Sequence, residues 1–239
     1  MAARCAVVSC HVERPLDDAA WAGFSRVQTR RPGGFEIAAL IRPPDAGAGE
    51  SESLWLARAR IMAARGPIGL HTHWGGVEQA RPTGGDPAAL VRTQIDWLEE
   101  RGLRPRFFAG GGWYMDEGVA AVLAERGLAD CTATAFRPSY LPQGAPRLSL
   151  AEPARLKMGE RTLVELPATH SPGMAARAVL WRLPAYVHAY FHDTDLTGTR
   201  RRRQVEQTLA VLGRRRRPQR LGELEPGAEL DFSAAASAP

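Results

Sequence analysis

Short apolar runs alternate along the chain with longer stretches in which apolar residues recur every three to four positions. The short runs have the length of buried strands, and the longer stretches have the period of amphipathic helices. Residues 4–12 (RCAVVSCHV) predict a first strand. Asp17 and Asp18 predict the cap of a helix reaching about residue 29, and RPGG breaks the chain before a second strand over 35–41. A polar linker over 45–50 leads to a helix over 51–65 and a third strand over 67–74. Asp86 caps a helix in which Leu90, Ile95, Trp97 and Leu98 share a face, and which stops at Gly102. A fourth strand (106–109), a helix (116–126) and a fifth strand (130–136) follow. After an insertion over 137–153, residues 154–170 read as a hairpin turning at Gly159 and Glu160 and running into a sixth strand. A helix over 171–183, a seventh strand over 185–192 and an arginine-rich helix close the series.

Seven strand–helix units predict an α/β fold, a seven-stranded distorted (β/α) barrel in a single domain. The alternative is an open doubly wound sheet, but no GxGxxG opens a helix after the first strand, which argues against a dinucleotide site. Residues 1–218 are expected to form the barrel, and 219–239 a peripheral segment ending in a disordered tail, SAAASAP.

Composition changes this picture little. Hydrophobic residues make up 44% and charged residues 24%, as in a globular protein with a sizeable core. No apolar run reaches the roughly 18–20 residues of a membrane span, and the start of the chain lacks a signal-peptide pattern, so a cytoplasmic location is expected. Cys5, Cys10 and Cys131 are an odd set without CxxC spacing and read as buried free thiols. The net charge of +5 is carried almost wholly by arginine, with runs at Arg200–Arg203 and Arg214–Arg217. Those runs suit either an anionic partner or a solvated helix face; without a nucleic-acid motif, no nucleic-acid partner is expected.

The histidines change more. All but His188 fall at the carboxyl ends of predicted strands, where parallel βα proteins place their sites. His71 and His73 stand two apart, as do His11 and Glu13, so each pair faces one side of its strand about 6.7 Å apart. Imidazole and carboxylate are the ligands of catalytic zinc. His71, His73 and Glu13 are therefore expected to hold a divalent ion, zinc first, with cobalt, nickel or manganese as alternatives. His11 and His192 are expected to move protons. Trp74 and Trp113 can stack on a sugar or close the core. Gly111 and Gly112 allow a close backbone approach, and Arg137, His170 and Asp193 complete the expected substrate contacts.

In motif order over about residues 4–212, the chain resembles the polysaccharide deacetylase (NodB-like) family. VVSCHVE (7–13) stands where that family has its first strand and Asp-Asp motif. IGLHTHW (68–74) resembles the strand carrying H-[ST]-x-x-H. PRFFAGGGWYMDEGVAAVLAERGL (105–128) resembles the segment with the arginine motif, and VHAYFHDTDL (187–196) the last strand and its Leu-x-His motif. The aspartates are replaced by His11, Val12 and Glu13, Gly75 stands where the second motif histidine belongs, and the motif arginine is absent. The resemblance implies a metal-dependent hydrolase that removes an acetyl group from a sugar or polysaccharide by cleaving a non-peptide C–N bond. The alternatives are an amidohydrolase- or PHP-like metal hydrolase, whose HxH motif HTH also matches, and an inactive carbohydrate-binding barrel.

Overall fold

The computed structural model describes residues 4–142 and 144–236. The chain divides into two compact units, residues 1–68 with 169–224 and residues 69–168 with 225–239.

The first unit is built around β1 (Cys5–Val12), every residue of which is buried. Helix α1 (Asp18–Arg30) follows, capped by the Asp17 side chain on Ala20 N–H. Next come β2 (Ile37–Ile41) and α2 (Glu52–Arg65), the latter capped by Ser51. In the second unit, β3 (Ile68–Thr72), which begins on the boundary residue, leads to α3 (Pro87–Glu100) and β4 (Phe107–Gly110). Then come α4 (Glu117–Arg126), β5 (Ala129–Asp130), and the antiparallel hairpin of β6 (Ala154–Met158) and β7 (Arg161–Glu165). The chain returns to the first unit through α5 (Pro172–Ala178), β8 (Tyr186–His192), α6 (Thr199–Arg215) and β9 (Arg217–Pro218). It ends in the second unit with β10 (Ala228–Asp231) and α7 (Phe232–Ala236).

In the first unit β1 lies between β2 and β8, all parallel, and β9 adds a short parallel pairing to its start. Strands buried on both faces read as continuous apolar runs, which is why β1, β2 and β8 stand out in the sequence. In the second unit the order is β3, β4, β5, β7, β6, β10. Neither path returns on itself, and the described residues form ten strands where seven were expected. The additional strands are the hairpin's first arm and two short C-terminal pairings.

Three expectations change for local reasons. The fifth strand stops at Asp130 because side chains take the next amides: Asp130 Oδ1 accepts Thr132 N–H at 3.0 Å and Glu165 Oε1 accepts Ala133 N–H at 3.2 Å. The helix expected to reach residue 183 ends at Ala178, and Arg215 donates to the carbonyls of Val179 and Trp181 beyond it. Residues 233–236 of the expected disordered tail belong to α7, whose Phe232 and Ala235 are buried; the last three lie outside the described residues. No described helix is long and apolar enough to cross a membrane.

Candidate functional site

In the first unit, the parallel register sets His11 of β1 beside His192 of β8. Their rings meet edge-on with centroids 5.1 Å apart, and His11 also stacks on Tyr190 at 5.5 Å. Glu13 Oε1 lies 3.5 Å from His192 Nε2. The peptide of Glu13 is clamped from both sides. Asp193 Oδ1 accepts its N–H at 3.2 Å, Asp193 Oδ2 accepts Arg14 N–H at 2.9 Å, and Arg42 Nε donates to the Glu13 carbonyl at 2.8 Å. Arg42 is in turn held by both oxygens of Glu50, at 2.9 and 2.6 Å. Asp195 accepts the backbone N–H of His192 at 3.0 Å and Arg201 Nε at 3.0 Å. These charge-assisted bonds fix the backbone that carries Glu13 and His192.

Burial raises the Asp193 carboxyl to about 6, against the opposing pull of backbone N–H groups from Arg14, Glu13 and Thr194. Burial, with Asp193, Asp195 and Glu13 adding to it, pushes the Cys10 thiol well up, so Cys10 stays protonated and inert. All three cysteines are free and buried, as the sequence indicates.

In the second unit, His71 and His73 lie at and just past the end of β3, ring centroids 5.1 Å apart. His71 Nδ1 is 2.9 Å from the Ala109 carbonyl, and His73 Nδ1 is 2.7 Å from the Val77 carbonyl. A carbonyl oxygen can only accept, so each Nδ1 carries the proton and each Nε2 the lone pair. That is the tautomer a metal-ligating histidine needs, with the orienting partner already supplied. One ring nitrogen from each lies within 4.8 Å of the other.

Several of the expected substrate-contact residues also make structural bonds. Trp74 is 9% exposed; its Nε1 donates to the Gly111 carbonyl at 3.2 Å and its ring meets Tyr114 edge-on. Gly111 is glycine because a Cβ there would stand 2.6 Å from the carbonyls of Thr72 and Ala80. Gly112 adopts φ 58°, and its carbonyl accepts a 2.5 Å bond from Arg81. The amide of Gly110 donates to Thr132 Oγ1 at 2.7 Å. Asp193 is 1% exposed, and its oxygens accept the backbone amides of Glu13 and Arg14. Trp113 is half-buried and edge-on to Phe136 at 5.3 Å, Arg137 is exposed, and His170 is half-buried with Nδ1 at 2.8 Å from Thr169 Oγ1. His188 is core, bonded through Nε2 to Ser9 Oγ at 2.8 Å.

Arg42 and Tyr190 were not among the expected site residues. Arg42 closes the second apolar run, and Tyr190 shares strand parity with His192, so position alone could have raised both. Asp130 and Glu165, a buried pair in the second unit, were missed as well.

No family model matches the chain, and no curated protein sequence does. Among solved structures it is similar to the 4-alpha-glucanotransferase from Thermococcus litoralis, with TM-score 0.58, 12% identity and 94% of this chain covered; it spans only 39% of that chain. It is similar to a protein assigned as a polysaccharide deacetylase from Mycobacterium smegmatis, with TM-score 0.58, 17% identity, and 94% and 96% of the two chains covered. A mutant CE4 family pseudoenzyme with restored enzymatic activity matches at TM-score 0.51 and 8% identity, over 98% of this chain and 68% of that one. At these identities the likeness is one of fold, a distant relationship to (β/α)-barrel-like proteins.

Proposed function

We propose that the chain is a metal-dependent hydrolase that removes an acyl group from a sugar, cleaving a non-peptide C–N bond. The observation that carries this reading is the paired tautomer of His71 and His73, each Nδ1–H given to a backbone carbonyl at 2.9 and 2.7 Å. With Glu13 proposed as the third ligand, they make a two-histidine, one-carboxylate donor set of the kind that holds catalytic zinc. A divalent ion there, zinc first, with cobalt, nickel or manganese as alternatives, would supply an acidified water and polarise the acyl oxygen.

The remaining roles fall to side chains of the first unit. His11 takes the proton from the attacking water. His192, 3.5 Å from Glu13, delivers a proton to the nitrogen as the C–N bond breaks, leaving acid and amine. Asp193 and Arg42 keep the Glu13 peptide fixed, and Asp195 fixes the backbone of His192. Trp113, half-buried, is the aromatic proposed to stack on the sugar ring, with Arg137 and His170 beside the substrate.

Acetate release from acetylated chitooligosaccharides tests the reading. The expected result is metal-dependent release, abolished by chelator and by His71→Ala. Turnover of p-nitrophenyl phosphate but not of the acetylated sugar would transfer the site to the PHP-like class. Glycan binding that survives chelator and His71→Ala, with no turnover, would leave only a carbohydrate-binding barrel.

A further inference from the structure

We propose that the first unit carries a peripheral docking surface for an anionic lipid bilayer, formed by Leu180 and Trp181 with the arginines around them. This goes beyond the hydrolysis proposed above and stands without it. Leu180 is 77% and Trp181 81% exposed, the two most exposed large apolar side chains among the described residues. They follow α5 in a segment that is pinned rather than loose. Val179 on one side and Leu183 on the other are buried. Arg215, at the end of α6, donates to the carbonyls of Val179 and, at 3.0 Å, of Trp181. Arg216 donates to the carbonyls of Leu183 and, at 2.8 Å, of Pro184. The backbone under the pair is thus held while both side chains project into solvent, an arrangement that costs apolar exposure unless something covers it.

What covers it is indicated by charge. Residues 171–184 and 207–222 contain seven arginines and no aspartate or glutamate. Arg177, Arg182, Arg214, Arg215 and Arg217 are exposed. Val211, one turn before Arg215 on α6, adds a partly exposed apolar side chain to the same face. The fold brings together what the sequence separates, since Arg215 and Trp181 lie 34 positions apart. Tryptophan and leucine at headgroup depth, ringed by arginine, are the composition of an interfacial membrane anchor on anionic lipid. A nucleic acid is the poorer fit: one exposed indole cannot stack successive bases, and Leu180 and Val211 offer a phosphate backbone nothing.

Cosedimentation of the full chain with lipid vesicles tests this. Vesicles of phosphatidylcholine containing about 30% phosphatidylglycerol should bind the protein, and phosphatidylcholine alone should not. The double variant Leu180→Ser, Trp181→Ser should lower binding about tenfold, and Arg214→Gln with Arg217→Gln should do the same and weaken its salt dependence. All four positions are exposed, and circular dichroism will report whether each variant keeps its fold. Absence of binding to anionic vesicles overturns the proposal. So does binding that the Leu180, Trp181 variant retains in full, or a polyanion response in which single-stranded DNA binds and vesicles do not.

Discussion

Each unit gathers ionisable side chains where its parallel strands end, and the two groups are built for different work. In the first unit Glu13 and His192 are half-exposed, while Asp193, buried behind them, holds the backbone of Glu13, and Asp195 holds that of His192. In the second, Asp130 and Glu165 are both fully buried. One oxygen of each accepts backbone or hydroxyl donors: Thr132 N–H and Oγ1–H on Asp130, Ala133 N–H on Glu165. Their remaining oxygens, Oδ2 and Oε2, are buried, and the two side chains pair with each other, which two acceptors can do only by sharing a proton. Burial raises both carboxyls, Glu165 the further, because a second buried charge beside Asp130 is costly. A carboxylate left half in water can meet a substrate or an ion; one sealed from water becomes a strut.

The largest effect expected is on the strut. Glu165→Ala leaves Asp130 buried without its partner and should cost about 3–5 kcal/mol in urea denaturation. Glu165→Gln keeps the bond as an amide donor and should stay near wild type below about pH 4. Because the folded Glu165 carboxyl is raised, its stabilisation is present at low pH and lost as pH rises from the free value of 4.5 through its folded value, so the glutamine variant should flatten that fall. Equal pH curves for the two proteins would break the contrast between the units.

Asp193 comes next. Asp193→Ala strips buried amides of their acceptor and should cost about 2–3 kcal/mol. With a folded value of about 6 against 3.8 for the free side chain, the Asp193 contribution is complete below about pH 4 and lost as pH rises through about 6. Relative to Asp193→Asn, wild type should lose about 3 kcal/mol across that window. A flat difference would place Asp193 in water rather than behind Glu13.

Much of this architecture is legible in the sequence because it rests on local signals. The apolar runs of β1, β2 and β8, the Asp17, Ser51, Asp86 and Asp116 caps, and the Gly159–Glu160 turn all stand in the chain as they act in the fold. The grouping of His11, Glu13 and His192 follows from strand-end position and parity. What escapes is non-local. Asp130 looks like any strand residue until Glu165, 35 positions on, faces it across β5 and β7. Trp74 and the glycines at 111 and 112 read as a ligand platform, yet they lock a turn against Thr72, Ala80 and Arg81. The alanine-rich tail shows no period, and only its docking, with Ser149 N–H on the Ala235 carbonyl at 2.9 Å, makes α7 part of the unit.

Two smaller effects sharpen the comparison. Arg42→Ala releases the carbonyl of Glu13 without touching an expected ligand side chain. Zinc affinity by calorimetry should fall 10–100-fold, the usual effect of losing an outer partner. Ser9→Ala removes the hydroxyl that bonds the buried His188 and should cost about 1 kcal/mol, with zinc affinity unchanged. A larger loss of zinc affinity in Ser9→Ala than in Arg42→Ala would reverse the assignment of core and site.

The paired tautomer of His71 and His73 is tested most directly by cobalt substitution, followed through the visible d–d absorption of the bound ion. The account predicts one cobalt per chain, displaced by zinc, and loss of the band in both His71→Ala and His73→Ala. A wild-type protein that takes up no cobalt, or a His71→Ala protein whose band matches wild type, would contradict it.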